Sequence, residues 1–134
     1  MLMAATRPVS PSLEQCELTH MAREPIDVAR ATAQHTGCLH LKSAVTALAE
    51  ESLLLNPAWV SAAAFPDHEA VFVDDREPYA ANALCVAGTI IHPSQFPRTR
   101  DRLSGRGLRL AAIDCSELAK AEGAVTCCSL IFEA

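Results

Sequence analysis

The sequence predicts an α/β fold made of strand–strand–helix–strand repeats, two of them whole and a third begun. Three observations carry this reading: apolar runs of strand length, polar or glycine turns between them, and anchors that superpose. In the first copy, SAVTALAEESLLLNP is an apolar run, a polar turn at Glu50-Glu51 and a second run ending at Asn56-Pro57. PAWVSAAAF then reads as a short helix, and EAVFVD (Glu69 to Asp74) as the third strand. The second copy opens with NALCVAGTIIHP, whose Ala87-Gly88 turn falls where Glu50-Glu51 fell. SQFPRTRDRLSG is its helix and LRLAAID its third strand. LLNP at 54–57 superposes on IIHP at 90–93, and the third strands end in Asp74 and Asp114. A helical CSELAKAEG and a strand AVTCCSLIF begin the third copy. Repetition of this kind signals a propeller or a solenoid, where each unit buries its face against its neighbours. About two and a half such units leave sheet edges open.

Ahead of the repeats, residues 1–36 form a segment of different character. Pro8, Pro11 and Pro25 punctuate a polar stretch, and IDVARATAQH (Ile26 to His35) reads as a helix that Gly37 ends. The expected division is therefore an N-terminal segment over 1–36, partly irregular, and the repeat region over 37–134.

The 134 residues suffice for one domain. Half are apolar by type and 20% are charged, with a formal charge of -5. An acidic balance argues against nucleic acid or an anionic membrane as partner, since either needs a cationic footprint. No apolar run approaches a membrane span, and MLMAATRPVSPS has no cationic region followed by an apolar stretch, so a cytoplasmic protein is expected.

Cysteines stand at 16, 38, 85, 115, 127 and 128. A reducing compartment disfavours disulfides, and no zinc-ligand spacing occurs, so no metal and no cofactor are expected. Most of these thiols read as small buried apolar groups. Cys127 and Cys128, placed on a strand, are expected to point to opposite faces. Arg98, Arg100, Arg102, Arg106 and Arg109 read as a solvated outer helix face that the glycines Gly105 and Gly107 interrupt.

Three stretches carry the candidate chemistry: Gly37 to Ser43 (GCLHLKS), Glu77 to Asn82 (EPYAAN), and Glu122 to Ser129 (EGAVTCCS). The first puts His40 at the start of an apolar strand, and the last puts a cysteine pair just after a glycine turn. A thiol and an imidazole distant in sequence can meet in the fold as nucleophile and proton carrier. By pattern alone, a structural histidine and a core cysteine are the commoner readings. Asn82 reads as a residue that satisfies turn backbone, and Glu77 as a minor candidate for facing substrate.

GCLHLKSAVTAL, EPYAANALCV and FPRTRDRLSGRGLRLAAIDCSELAKAEGAVTCCSL resemble the C-terminal half of the dimethylarginine dimethylaminohydrolase family. That family sits in the guanidine-modifying, or pentein, superfamily with arginine deiminases and amidinotransferases. The resemblance runs from about Gly37 to Phe132. It implies a partial, pentein-like β/α-propeller, part of a five-bladed ring. It also implies hydrolysis of N-omega-methylated arginine to citrulline and methylamine or dimethylamine. The family nucleophile falls on Cys127 and the general acid/base on His40. Lys42 stands where arginine deiminases resemble His-x-Asp, as in enzymes whose substrate nitrogen carries methyl groups. A substrate-contacting backbone position falls on Ala121, and Ser43 joins Lys42 as a further substrate-binding candidate. A thiolate–imidazole pair of this kind can also capture Zn2+ adventitiously, as an inhibitor.

The family's guanidinium-clamping acids and carboxylate-binding arginines belong to an N-terminal half that residues 1–36 do not match. Two expectations follow. The chain is an amidine hydrolase on a small methylated-arginine substrate, weakened by what it lacks. Alternatively, it is a catalytically inactive half-ring that associates with itself or a partner chain through its open edges.

Overall fold

The computed structural model describes residues 38 and 40–132. The segment over 1–36, with its helix at Ile26 to His35, lies outside the described residues, and so does Gly37.

Among the described residues, two three-stranded sheets of identical topology make up the fold. The first holds β1 (Val45–Ala49), β2 (Ser52–Leu55) and β3 (Glu69–Phe72), and the second holds β4 (Leu84–Val86), β5 (Thr89–Pro93) and β6 (Arg109–Ile113). In each, the middle strand pairs antiparallel with the strand before it and parallel with the strand after it. The repeat read from the sequence is thus present twice, on a mixed α/β scaffold. A hairpin needs only a tight turn, whereas the parallel return needs a crossover. In the second unit the crossover is α2 (Pro97–Gly105). In the first it is only a 3-10 turn at Ala62–Ala64, capped by the Ser61 hydroxyl, so the expected helix over PAWVSAAAF is shorter than its apolar run suggested. Preceding β1 is one helical turn, α1 (Leu41–Ala44). After β6 comes α3 (Ser116–Lys120).

The Ala87-Gly88 turn is tight because both residues have positive φ, 47° and 73°. Two left-handed residues in succession give the turn twist that a two-residue hairpin needs. Glycine accepts this at no steric cost, whereas alanine does not.

β2 is the centre of the core. Leu53, Leu54 and Leu55 are all fully buried, as an apolar run covered on both faces should be. Leu53 and Leu55 pack with Leu41, Val45, Val60 and Phe65. Leu54, pointing the other way, packs with Val71, Ala81, Cys85, Ile90 and Leu103. The second cluster draws on both sheets and on α2, so the two units share a core. Thr46 joins them again: its hydroxyl donates to the Ala81 carbonyl (2.6 Å) and accepts the Ala83 N–H (3.1 Å).

Buried polar groups converge on the Glu77–Asn82 segment from both units. The superposed anchors Asn56 and His92 both reach it: Asn56 Nδ2 donates to the Pro78 carbonyl and His92 Nε2 to the Ala80 carbonyl, each at 2.9 Å. Glu77 accepts the N–H groups of Arg98 (3.0 Å) and Thr99 (2.7 Å), so a carboxylate from a distant turn caps α2, whose own N-cap residue, Phe96, has no capping side chain. A negative charge there also meets the positive end of the helix dipole. Glu77 is therefore a buried structural cap, in line with its being only a minor candidate for facing substrate. The arginines of α2 are not merely a solvated face either. Arg102 pairs with Asp74 and with the carbonyls of Phe72 and Val73, while Arg106 pairs with Glu69, tying the helix to β3.

Asp74 and Asp114, the matching ends of the third strands, each accept an N–H two residues on, from Arg76 (3.1 Å) and Ser116 (2.8 Å). Those backbone donors hold both carboxyls below the ordinary aspartate range.

Replacing Glu77 with Ala removes both acceptors from the α2 terminus. The expected loss is about 2–3 kcal/mol, read as a lower urea midpoint with an unchanged slope; an unmoved midpoint refutes the cap. A second expectation concerns His92, which is fully buried, with Nε2 donating and Nδ1 without a hydrogen-bond partner among the described residues. Burial pushes its pKa below the ordinary 6.5. The unfolded chain then binds the proton more readily, so stability is complete above pH 6.5 and falls as pH drops below it. His92→Gln is expected to flatten that fall in melting temperature, and an identical pH slope in both proteins would contradict it.

Candidate functional site

The stretches carrying the candidate residues are held together through one side chain. Asn82, 5% exposed, lies between them. Its Nδ2 donates to the Lys42 carbonyl (3.1 Å) and to Thr126 Oγ1 (2.9 Å), and its Oδ1 accepts the Thr126 N–H (3.1 Å). Lys42 lies 40 residues before Asn82 and Thr126 lies 44 after it. The segments bearing His40 and Cys127 are thus brought to one place. The sequence marked EPYAAN but read Asn82 as serving only its own turn; its partners are long-range, and no local pattern announces them.

His40 is exposed and extended at the residue before α1, and its carbonyl accepts the Ser43 N–H (3.0 Å) and the Cys38 thiol (3.3 Å). It therefore stands ahead of a helical turn, not at the start of a strand as expected; the strand begins only at Val45. Lys42 and Ser43 lie half-buried within that turn.

On the other side, α3 ends in a left-handed cap. Glu122, at φ 58°, donates its N–H to the Ala119 carbonyl, and Gly123 donates its own to Leu118 (2.8 Å). This pattern closes a helix and reverses the chain. A side chain on Gly123 would meet the Leu118 carbonyl at 3.1 Å and Cys128 Sγ at 3.3 Å, so the residue there must be small. Ala121, the candidate backbone contact, is the exposed C-cap of α3 and donates its N–H to Leu118.

Residues 125–128 form a turn, and no strand runs through AVTCCSLIF. An apolar run bounded by a glycine reads as a strand by pattern, but here no neighbouring strand pairs with it among the described residues. Buried Val125 and Thr126 anchor the turn, while Cys127 and Cys128 are exposed. The two cysteines consequently do not point to opposite faces: their sulfurs lie 3.8 Å apart without a disulfide. Nor is Cys128 a packed core residue. The reading of buried apolar thiols holds for Cys85 and Cys115, whose burial raises their pKa values.

The two sulfurs are inequivalent. Cys127 Sγ receives the Ala124 N–H at 3.0 Å. The Cys128 thiol is held above its ordinary range, first by its hydrogen bond to Cys127 and then by desolvation and the adjacent Cys127 charge. Cys127 Sγ in turn donates to the Ala124 carbonyl (3.3 Å), so both the N–H and the carbonyl of Ala124 hold it. Among the described residues no cluster of three or more His, Cys, Asp or Glu suits a metal ion, and no helix is long and apolar enough to cross a membrane.

No family model matches the sequence. Over 94 residues the chain is 37% identical to N(G),N(G)-dimethylarginine dimethylaminohydrolase of Pseudomonas aeruginosa, a match covering 70% of this chain and 37% of that protein. The structure is similar to that of a cysteine-to-serine mutant of the Pseudomonas aeruginosa enzyme complexed with citrulline, at a TM-score of 0.62 and 34% identity, covering 68% of this chain and 36% of that one. It is likewise similar to a dimethylarginine dimethylaminohydrolase histidine-to-glycine variant in adduct with S-methyl-L-thiocitrulline, at a TM-score of 0.63 and 34% identity, over 69% of this chain and 36% of that one. The chain spans little more than a third of the length of the curated relative it matches. By sequence and by fold, over that shared portion, it belongs to the dimethylarginine dimethylaminohydrolase family.

Proposed function

We propose that the chain carries the cysteine–histidine half of an amidine hydrolase acting on N-omega-methylated arginine. The observation that carries this reading is the Asn82 bridge, which draws the Lys42 and Thr126 segments together in a chain related to dimethylarginine dimethylaminohydrolase. Relatives that hold citrulline or a thiocitrulline adduct support the substrate class.

In this proposal the Cys127 thiolate attacks the guanidinium carbon. His40 gives a proton to the methylated nitrogen, the C–N bond breaks, and dimethylamine leaves behind an S-alkylthiouronium. His40 then takes a proton from water, whose oxygen attacks the same carbon; the C–S bond breaks, giving citrulline and the thiolate. A guanidinium beside the sulfur favours the thiolate by direct attraction. The backbone at Ala121, together with Lys42 and Ser43, lines the substrate side. Lys42 suits a methylated nitrogen, which cannot donate to a carboxylate the hydrogen bonds that an unsubstituted one can.

The two units, equal in strand order and sharing a core, are read here as consecutive blades of a pentein-like propeller. A second reading has its own observation. Leu130 (86% exposed) and Phe132 (77%) stand in solvent with Ile113 and Leu118 also exposed, and apolar surface of this kind marks contact with another chain. In that reading the chain is a half-ring whose activity needs association.

Incubation with asymmetric dimethylarginine is expected to yield citrulline in the wild-type chain and none above background in Cys127→Ser. Turnover that survives Cys127→Ser, or wild-type protein with no turnover at high concentration, removes the enzyme reading for this chain. Light scattering during size exclusion is expected to give a mass above the monomer under the second reading; a well-folded monomer contradicts it.

A further inference from the structure

All the hydrogen-bonding capacity of the Asn82 side chain that the fold uses points at the two functional segments. An amide offers one carbonyl oxygen and two N–H donors. Here the oxygen holds the Thr126 N–H, and the nitrogen holds Thr126 Oγ1 and the Lys42 carbonyl. No other side chain of similar size supplies both functions: aspartate would set a carboxylate against the Lys42 carbonyl, and leucine would leave the Thr126 N–H without its acceptor. Asn82 and Thr126 are 5% and 6% exposed, so water does not replace a lost bond readily.

We propose that Asn82 is a positioning residue that sets Cys127 against His40, a role that rests on the assignment of those two residues made above. Thr126, gripped at both its N–H and its hydroxyl, is bonded directly to Cys127. On the other side Lys42 lies inside the turn that the Ser43 N–H closes onto the His40 carbonyl (3.0 Å). One side chain therefore spans from the residue beside the sulfur to the turn that begins at the imidazole. Cys127 and His40 are themselves exposed and carry little packing of their own. Their relative placement is inherited from the backbone that Asn82 ties. A misplacement near 1 Å between reacting groups costs roughly a hundredfold in rate, so a tie of this kind acts on reactivity beyond its share of stability.

The test is the pH dependence of Cys127 alkylation by iodoacetamide in the full chain, resolved to the single residue by tandem mass spectrometry. Circular dichroism and melting are measured on each variant. In the wild type the rate is expected to show a step that His40→Ala abolishes. Asn82→Ala is expected to abolish the same step, with the neutral-pH rate reduced roughly tenfold to a hundredfold, and to add no further loss in the double variant with His40→Ala. Thr126→Ser, which keeps the hydroxyl, is expected to retain the step. Should Asn82→Ala not fold, the nearly isosteric Thr126→Val deletes one of the bonds and is expected to lower the step in part. A folded Asn82→Ala, or failing that a folded Thr126→Val, with the wild-type profile overturns the positioning role while leaving the His40 assignment in place. If His40→Ala itself keeps the wild-type profile, the Cys127–His40 assignment falls and the positioning role falls with it.

Discussion

The segment from Glu77 to Asn82, buried at Glu77 and again from Ala80 to Asn82, is the constraint on which the rest of the fold depends. It connects the two repeat units in sequence and is bonded by both in space. Asn56 and His92 hold its carbonyls, Thr46 holds the Ala81 carbonyl and the Ala83 N–H, and Glu77 caps the crossover helix of the second unit. Irregular backbone inside a core is costly unless each polar group finds a partner. Here the partners come from elements on every side, so satisfying the segment also fixes how those elements meet.

The same segment explains how exposed groups can sit on an ordered frame. His40 and Cys127 are exposed at the surface, on segments whose order is set by the frame beneath them. The Leu53–Leu55 strand supplies the rigidity, burying one side chain in the shared core and two in the other. Asn82 passes that order on to the loops. The turn at 125–128 has little apolar anchoring of its own beyond Val125, and the following Leu130 and Phe132 are exposed.

The repeat was legible in the sequence because apolar runs, turn residues and the LLNP/IIHP anchors are local signals, and the six strands among the described residues fall where those signals place them. The turn at Cys127-Cys128 was not. AVTCCSLIF has the composition of a strand, and only the absence of a pairing neighbour among the described residues makes it a turn. PAWVSAAAF has helix-favouring alanines, yet the crossover it spans is short and settles as a 3-10 turn. The capping role of Glu77 and the bridging role of Asn82 depend on partners 21 to 44 residues away. Neither periodicity nor spacing encodes such contacts. The motifs containing these residues could be singled out, but what each side chain does could be read only from the folded chain.

Native-state hydrogen exchange addresses this organisation most directly, because three amides report on it: Ala83 bonded to Thr46, Thr99 to Glu77, and Thr126 to Asn82. Two of the three lie outside strands and helices, and fast exchange would be their ordinary behaviour. The account predicts that all three are protected to nearly the same free energy as the central amides of β2. Rapid exchange at Thr126 and Ala83 alongside a protected β2 would contradict it, showing two sheets that fold without the segment between them.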